Sequence, residues 1–333
     1  MSFDFLNGAS VLITGGTGSF GQAFARTLLE KTEAKKVIVF SRDELKQHEM
    51  KIIFGEYKNR IRFFLGDVRD KERLEKAFQG VDYVIHAAAL KQVPALEYNP
   101  TEAIKTNILG TQNVINAAID KKVKKVLLIS TDKAANPANL YGATKLCAEK
   151  LVINSNFYSG IDGTSLSVVR YGNVFGSRGS IIDVIKKQRE TGVVTITDKR
   201  MTRFWITLEQ GVKFVLESLE DMQGGEIFIP KIPSMGIKDL IDVCAPQCEL
   251  KYIGIRPGEK LHESLITPEE ARTTKEFGDY YIIFPDYQED GWWSESDNYI
   301  RGREVPEGFF FASHKNDKWL NEDDLRLFLD SHQ

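Results

Sequence analysis

Six short runs of almost uninterrupted apolar, largely β-branched residues recur through the first half of the chain, at residues 10–14, 36–40, 61–65, 81–87, 123–130 and 165–169. Between them lie helix-length amphipathic stretches that begin near Gly18, Asp43, Asp70, Pro100 and Asn139. A strand without polar alternation has to be covered on both faces, and helices recurring between such strands provide that cover. The pattern therefore predicts an α/β fold with a doubly wound parallel sheet. It assigns residues 1–171 to that sheet domain. After Tyr171 the rhythm breaks into shorter elements with more turn residues, among them Gly172-Asn173-Val174-Phe175-Gly176 and Gly224-Gly225. Residues 172–333 read mainly as a smaller mixed α/β substrate-binding lobe, with some late segments free to return to the first domain.

The 44 Lys and Arg against 47 Asp and Glu give a net charge of -3, so no nucleic-acid partner is expected and any anion site must be built from a few placed donors. The first residues, Met1-Ser2-Phe3-Asp4-Phe5, lack the basic flank of a signal peptide, and no apolar run is long enough to span a bilayer. No membrane contact is expected. Cys147, Cys244 and Cys248 cannot all pair, and no further Cys or His stands at zinc-finger spacing. Reduced structural thiols, no metal and a cytoplasmic location are the expectation.

Directly after the first apolar run comes Thr14-Gly15-Gly16-Thr17-Gly18-Ser19-Phe20-Gly21. The spacing of Gly15, Gly18 and Gly21 suits a sharp strand-to-helix turn whose backbone approaches a pyrophosphate at a helix N-terminus. Ser19 and Phe20 lie within that turn, and the sheet is expected to be Rossmann-like. The second run ends Phe40-Ser41-Arg42-Asp43. A serine and an arginine at this tip can hold a 2′-phosphate, which points to NADP; alternatively Arg42 is solvated and Asp43 a helix cap. Asp67-Val68 after the third run and Ala87-Ala88-Ala89 after the fourth suit an adenine edge and a closely packed cofactor.

After the fifth run stand Ser130-Thr131-Asp132-Lys133, then Tyr141 and Lys145, four residues apart on one helical face. A phenol near its usual pKa of about 10 is a poor base at neutral pH. An ammonium at Lys145 and an oxidised nicotinamide are expected to lower it, with Thr131 supplying a hydrogen bond. His86, inside an apolar run, reads as a core histidine.

The glycine spacing, Asp67-Val68, the Thr131/Tyr141/Lys145 trio and Arg170-Tyr171-Gly172-Asn173-Val174 resemble an extended short-chain dehydrogenase/reductase. Ala88-Ala89-Leu90-Lys91-Gln92-Val93-Pro94, the stretch from Ser130 to Pro137 and Arg256-Pro257-Gly258-Glu259-Lys260 are similar to the soluble, C5-inverting UDP-N-acetylglucosamine 4,6-dehydratases. The resemblance implies three steps: oxidation at C4 with Tyr141 taking the hydroxyl proton, elimination of water across C5 and C6, and return of hydride to C6. Asp132 would protonate the leaving oxygen and Lys133 would remove the C5 proton, which requires a strongly depressed lysine pKa. The resemblance also implies cofactor contacts from Val174, UDP contacts from Asn173, Arg178, Thr195, Arg256 and Glu259, and Lys91 near the sugar. It further implies a product that leads toward pseudaminic acid and flagellin glycosylation, and a homo-oligomer, a dimer or an assembly of dimers.

A UDP-N-acetylhexosamine 4-epimerase, which needs no acid/base pair beyond C4, stays open at this stage. So do a C5-retaining dehydratase and a non-enzymatic dinucleotide sensor or scaffold.

Overall fold

The apolar runs fold as β1 (Ser10–Thr14), β2 (Lys36–Ser41), β3 (Ile61–Leu65), β4 (Tyr83–His86), β5 (Lys125–Thr131) and β6 (Ser165–Tyr171). The computed structural model describes residues 3–160, 163–286 and 292–330. The six strands are parallel and stand in the order β3-β2-β1-β4-β5-β6. The chain crosses over between β3 and β4, so connections leave β1 and β4 toward opposite faces and open a crevice at their carboxyl ends.

Helices cover both faces of this sheet. They are α1 (Ser19–Lys31), α2 (Glu44–Ile53), α3 (Lys71–Ala77), α4 (Val93–Tyr98), α5 (Pro100–Ala103), α6 (Gly110–Asp120) and α7 (Leu140–Asn154). Their starts follow side-chain chemistry: Asp43, Asp70 and Asn139 each accept a hydrogen bond from a backbone N–H in the first turn of α2, α3 and α7. A π-helical stretch, Ile104–Leu109, joins α5 to α6. Its Asn107 holds Leu90 by both backbone groups and donates to the Thr144 hydroxyl at 3.0 Å, so the segment after β4 is tied to α7.

Beyond Tyr171 the chain does return to the sheet. Ile227–Pro230 adds parallel to β6, and Tyr280–Ile283, Thr274–Glu276 and Arg303–Glu304 follow antiparallel, giving ten strands. The remainder builds a smaller lobe with its own core, where Phe175 stacks on Trp205 at 4.4 Å among Ile182, Val194, Met235 and Leu240. Among the described residues no helix is long and apolar enough to cross a membrane.

One buried cation locks the two halves together. Arg170, on β6, is fully buried and uses all its N–H groups. It bonds both oxygens of Glu149 on α7 (3.1 and 2.6 Å), both of Glu270 (2.9 and 3.0 Å) and the Leu265 carbonyl at 2.9 Å. Ser130, at the end of β5, donates to the same Glu149 carboxylate. Removing Arg170 strands two carboxylates, one of them fully buried. Arg170→Ala should cost about 3 kcal/mol or more in urea unfolding. A loss below about 1 kcal/mol would show that the cluster relaxes into solvent.

Candidate active site

The crevice at the carboxyl ends of β1 and β4 widens into a cavity of about 770 Å³. Every residue expected at the cofactor borders it: Gly15, Gly18, Ser19, Phe20, Gly21, Ser41, Arg42, Asp43, Asp67, Val68, Ala87, Ala88, Thr131, Tyr141, Lys145 and Val174.

Its floor accepts only glycine. Gly15 has φ +67°, and a Cβ there would lie 2.9 Å from the backbone of Ala88. At Gly21 a Cβ would lie 2.4 Å from the Gly16 Cα, so the first turn of α1 packs directly on the turn before it. Gly18 caps α1 without a side-chain acceptor, which leaves the first amides of a 13-residue helix available to an anion. These features fit a dinucleotide pyrophosphate. At the tip of β2 the carboxylate of Asp43 is spoken for. It accepts from the Lys46 amide at 3.0 Å and pairs with the Lys46 ammonium at 2.6 Å, which holds its pKa below the usual carboxylate value. Ser41 is buried against the Thr17 hydroxyl at 2.8 Å. Arg42 remains more than half exposed, 3.5 Å from Asp67.

β5 ends inside the cavity and α7 lies beside it, which brings Thr131, Lys133, Tyr141 and Lys145 to one wall. Asp132 lies just behind, fully buried, its Oδ1 receiving the Thr131 hydroxyl and the Lys133 Nζ at 2.9 Å each. Its Oδ2 has no hydrogen-bond partner. Lys133 Nζ also reaches Asn173 Oδ1 at 3.4 Å and Glu263 Oε1 at 3.8 Å.

Two electrostatic expectations are corrected here. Burial alone would depress Lys133, but the Asp132 and Glu263 carboxylates outweigh it and hold the ammonium above its usual range. Lys133 in the resting cleft is therefore charged, the salt-bridge partner of Asp132. Burial likewise pushes the Tyr141 phenol up; the charge that opposes it is Lys133, not Lys145, with a Thr131 hydrogen bond acting the same way. Lys145 instead donates to the Ile129 carbonyl at 2.7 Å, and burial drops its pKa to about 8. His86 is a satisfied core histidine, held between Thr14 and Thr111 at 2.7 and 3.0 Å and kept neutral by burial, with a pKa of about 3.

The family model for a polysaccharide biosynthesis protein matches residues 11–285. A UDP-N-acetylglucosamine 4,6-dehydratase (inverting) of Campylobacter jejuni is 53% identical over 96% of each chain. The chain belongs to this family of sugar-nucleotide enzymes, within the extended short-chain dehydrogenases/reductases. A UDP-glucose 4-epimerase of Rickettsia canadensis is 44% identical over 82% of each chain. Among solved structures, Pen from Bacillus thuringiensis superposes with a TM-score of 0.88 at 38% identity, covering 98% of this chain and 99% of that one.

The placement of the expected UDP residues is mixed. Lys91, Asn173 and Arg178 border the cavity; Thr195, Arg256 and Glu259 do not. Arg178 crosses to the glycine turn, donating to the Thr17 carbonyl at 2.8 Å, with its own amide on the Ser19 hydroxyl at 3.1 Å. Its guanidinium thus sits at the dinucleotide end rather than the sugar end. Lys91 Nζ donates to the Arg178 carbonyl at 3.2 Å. Thr195 is hydrogen-bonded to Gln188 within the smaller lobe. Arg256 and Glu259 pair at 3.8 Å on a turn docked against the loop before α7 through Asn139 and Gly258. Arg203 is consumed by the backbone carbonyls of Thr202, Lys260 and Leu261, so it is not free to meet a diphosphate.

Sequence reasoning missed Lys46, which neutralises Asp43, and Glu263, which faces Lys133. Lys46 was findable as the third residue after a capping aspartate. No spacing announces Glu263, 130 positions from its partner; the signal was that a buried lysine needs counter-charge.

The lowered Lys145 has a consequence for stability. Between its folded value of about 8 and its unfolded value near 10.4, the unfolded chain binds more protons, so stability rises with pH across that window. Denaturant unfolding should show wild type gaining on Lys145→Met between about pH 8 and pH 10. A constant difference would mean that Lys145 is solvated in the folded protein.

Proposed function

We propose that the protein is a C5-inverting UDP-N-acetylglucosamine 4,6-dehydratase that works with NADP. The observation that carries this reading is the Lys133–Asp132 couple at 2.9 Å, on the same cavity wall as Tyr141 and beside a glycine cradle fit for a dinucleotide. Interconversion at C4 alone asks for one proton-handling group; removal of water asks for a base at C5 and an acid at C6 as well.

A bound nicotinamide supplies the hydride acceptor for C4 and the hydride donor for C6. The chain handles the protons. Tyr141, as the phenolate that Lys133 and the positive charge of an oxidised nicotinamide would favour, takes the proton of the C4 hydroxyl, and the resulting ketone acidifies C5–H. In the resting couple Lys133 carries the proton and Asp132 the negative charge. Passing that proton across 2.9 Å gives a neutral amine and a carboxylic acid, the two forms that elimination needs. The amine then takes the C5 proton while Asp132 gives its proton to the departing C6 hydroxyl, which leaves as water. The pair ends as ammonium and carboxylate, as it began; once hydride is back on C6, C5 would take a proton on the face opposite Lys133 from Tyr141, which thereby returns the one it gained from the C4 hydroxyl. Asn173, at 3.4 Å from the Lys133 nitrogen, orients the amine toward the ring.

The preference for NADP rests on the tip of β2, where Asp43 is neutralised by Lys46 while Arg42 stays accessible. Of the UDP contacts that the resemblance implies, Asn173 and, near the sugar, Lys91 belong to the same reading because they border the cavity, whereas Arg178 is turned to the glycine turn and Thr195, Arg256 and Glu259 stand outside the cavity. To the same reading belong a cytoplasmic enzyme and a homo-oligomer, whose apolar contact would include the exposed Ile104 and Leu109 at the two ends of the π-helical stretch before α6. A product with a 4-keto group and an inverted C5 suits a route to pseudaminic acid.

Proton NMR of UDP-N-acetylglucosamine with the NADP-loaded protein in D₂O should show loss of the C6 hydroxymethylene signals, a new C6 methyl and deuterium at C5. Inversion at C4 alone would instead make the protein an epimerase. Lys133→Ala should lower dehydration at least about 100-fold while NADP stays bound. Arg42→Ala should weaken NADP relative to NAD about tenfold or more in titration calorimetry; equal losses for both would remove Arg42 from 2′-phosphate recognition.

A further inference from the structure

Glu263 is a buried carboxylate that the reaction, as read above, does not use. It is 3% exposed and lies where the strand Ser264–Ile266 meets Phe311–Ala312, its backbone held by Ser313 on both sides at 3.0 and 2.8 Å. Three cations surround it: Lys133 and Arg203 at 3.8 Å from Oε1, and Lys260 at 3.5 Å from Oε2. None of these contacts is a hydrogen bond, and Oε2 has no hydrogen-bond partner at all. An anchoring carboxylate in a protein interior is normally saturated with short bonds, as Glu149 is around Arg170. Glu263 acts instead as a fixed charge at a distance, in a place where water does not screen it.

The charges facing Lys133 come from several elements: Asp132 from the end of β5, Glu263 and Lys260 from the segment before Ser264–Ile266, and Arg203 from the strand Thr202–Ile206. Tyr141 on α7 and, more remotely, Lys91 complete the set. His262, next to Glu263, is engaged with the Thr202 hydroxyl at 2.9 Å and stacked on His314. Asp132 holds the Lys133 proton by a direct hydrogen bond. Glu263 has no such bond, so its influence on Lys133 is electrostatic, and Arg203 and Lys260 oppose it.

We propose that Glu263 is a positioning residue for Lys133: with Arg203 and Lys260 as its counterweights, it sets how readily the Lys133–Asp132 couple passes into its amine and carboxylic-acid form. The proposal rests on the reading that Lys133 is the C5 base. It gives the smaller lobe a direct hand in the chemistry, because Arg203, Lys260 and Glu263 all lie beyond the sheet's sixth strand.

The sign is fixed. A negative charge beside an ammonium favours the charged form. Replacing Glu263 by Gln keeps the shape, removes the charge and leaves Arg203 and Lys260 to repel the ammonium, so the amine appears at lower pH. Replacing Lys260 by Met removes a counterweight and does the reverse. Competitive acetylation of the whole resting protein, read at the Lys133 peptide by mass spectrometry over a pH series, reports the midpoint without turnover. Relative to wild type, Glu263→Gln should lower that midpoint by about one pH unit or more, Glu263→Asp should lower it less, and Lys260→Met should raise it. The acid limb of the dehydration rate should move the same way while KM for UDP-N-acetylglucosamine changes little.

A folded Glu263→Gln whose Lys133 midpoint stays at the wild-type value overturns the proposal. Should that variant fail to fold, Lys260→Met decides it: an upward midpoint supports the assignment and an unmoved or lower one defeats it. A wild-type protein that labels as expected but turns over no UDP-N-acetylglucosamine would sink the dehydratase reading. The electrostatic assignment of Glu263 would then stand on the labelling.

Discussion

The structure turns on a guanidinium with no access to water. Burying a cation costs several kcal/mol, and only a full complement of partners offsets it. Arg170 obtains them from α7, from the Glu270 turn and from the Leu265 carbonyl, elements that are far apart in sequence. Because Glu149 is bound to Arg170 on one side and to Ser130 on the other, the end of β5 and the helix bearing Tyr141 and Lys145 cannot shift independently. The segment that carries Lys260 and Glu263 runs into the same knot through Leu265. The Asp132–Lys133 pair, the helix bearing Tyr141 and the segment bearing Glu263 are therefore registered by one cluster that lies outside the cavity lining except for Ser130.

The sheet half was legible because its signals are local. Six apolar runs became six strands within about two residues, and Gly18, Asp43, Asp70 and Asn139 cap the helices that follow them. The glycine spacing is partly local: Gly18 and Gly21 answer contacts within the turn itself, while Gly15 makes room for the backbone of Ala88 after β4. The helix Val93–Tyr98 escaped notice because Pro94 reads as a breaker, whereas a proline in the first turn of a helix lacks only an N–H that has no partner there anyway. The later strands escaped because runs of two to four residues carry no periodicity long enough to count.

Which residues the candidate site gathers was legible; their electrostatics were not. Tyr141, Lys145, Thr131, Asp132 and Lys133 could be gathered from their distances to the end of a strand. Their charge states depend on what stands opposite, and that came from residues 203, 260 and 263. Arg178 illustrates the same limit. As a cation past Asn173 it was assigned to UDP, yet a loop of a few residues carries it back to Thr17 and Ser19.

These placements divide the cavity into two electrostatic regimes. Around Tyr141 and Lys145 burial is the larger influence, moving the phenol up and the amine down toward their neutral forms although Glu149 pulls Lys145 the other way. Such a wall suits a hydride acceptor that brings its own positive charge, because the phenol and the amine then respond to that charge instead of to each other. Around Lys133 burial acts too, but two carboxylates outweigh it and the ammonium persists. A relative that only interconverts C4 needs the first regime alone. The second is where elimination has to be built, and it takes residues from both lobes to build it. Sequence identity of 44% to a UDP-glucose 4-epimerase therefore does not by itself fix the reaction, which is decided by the residues at the site.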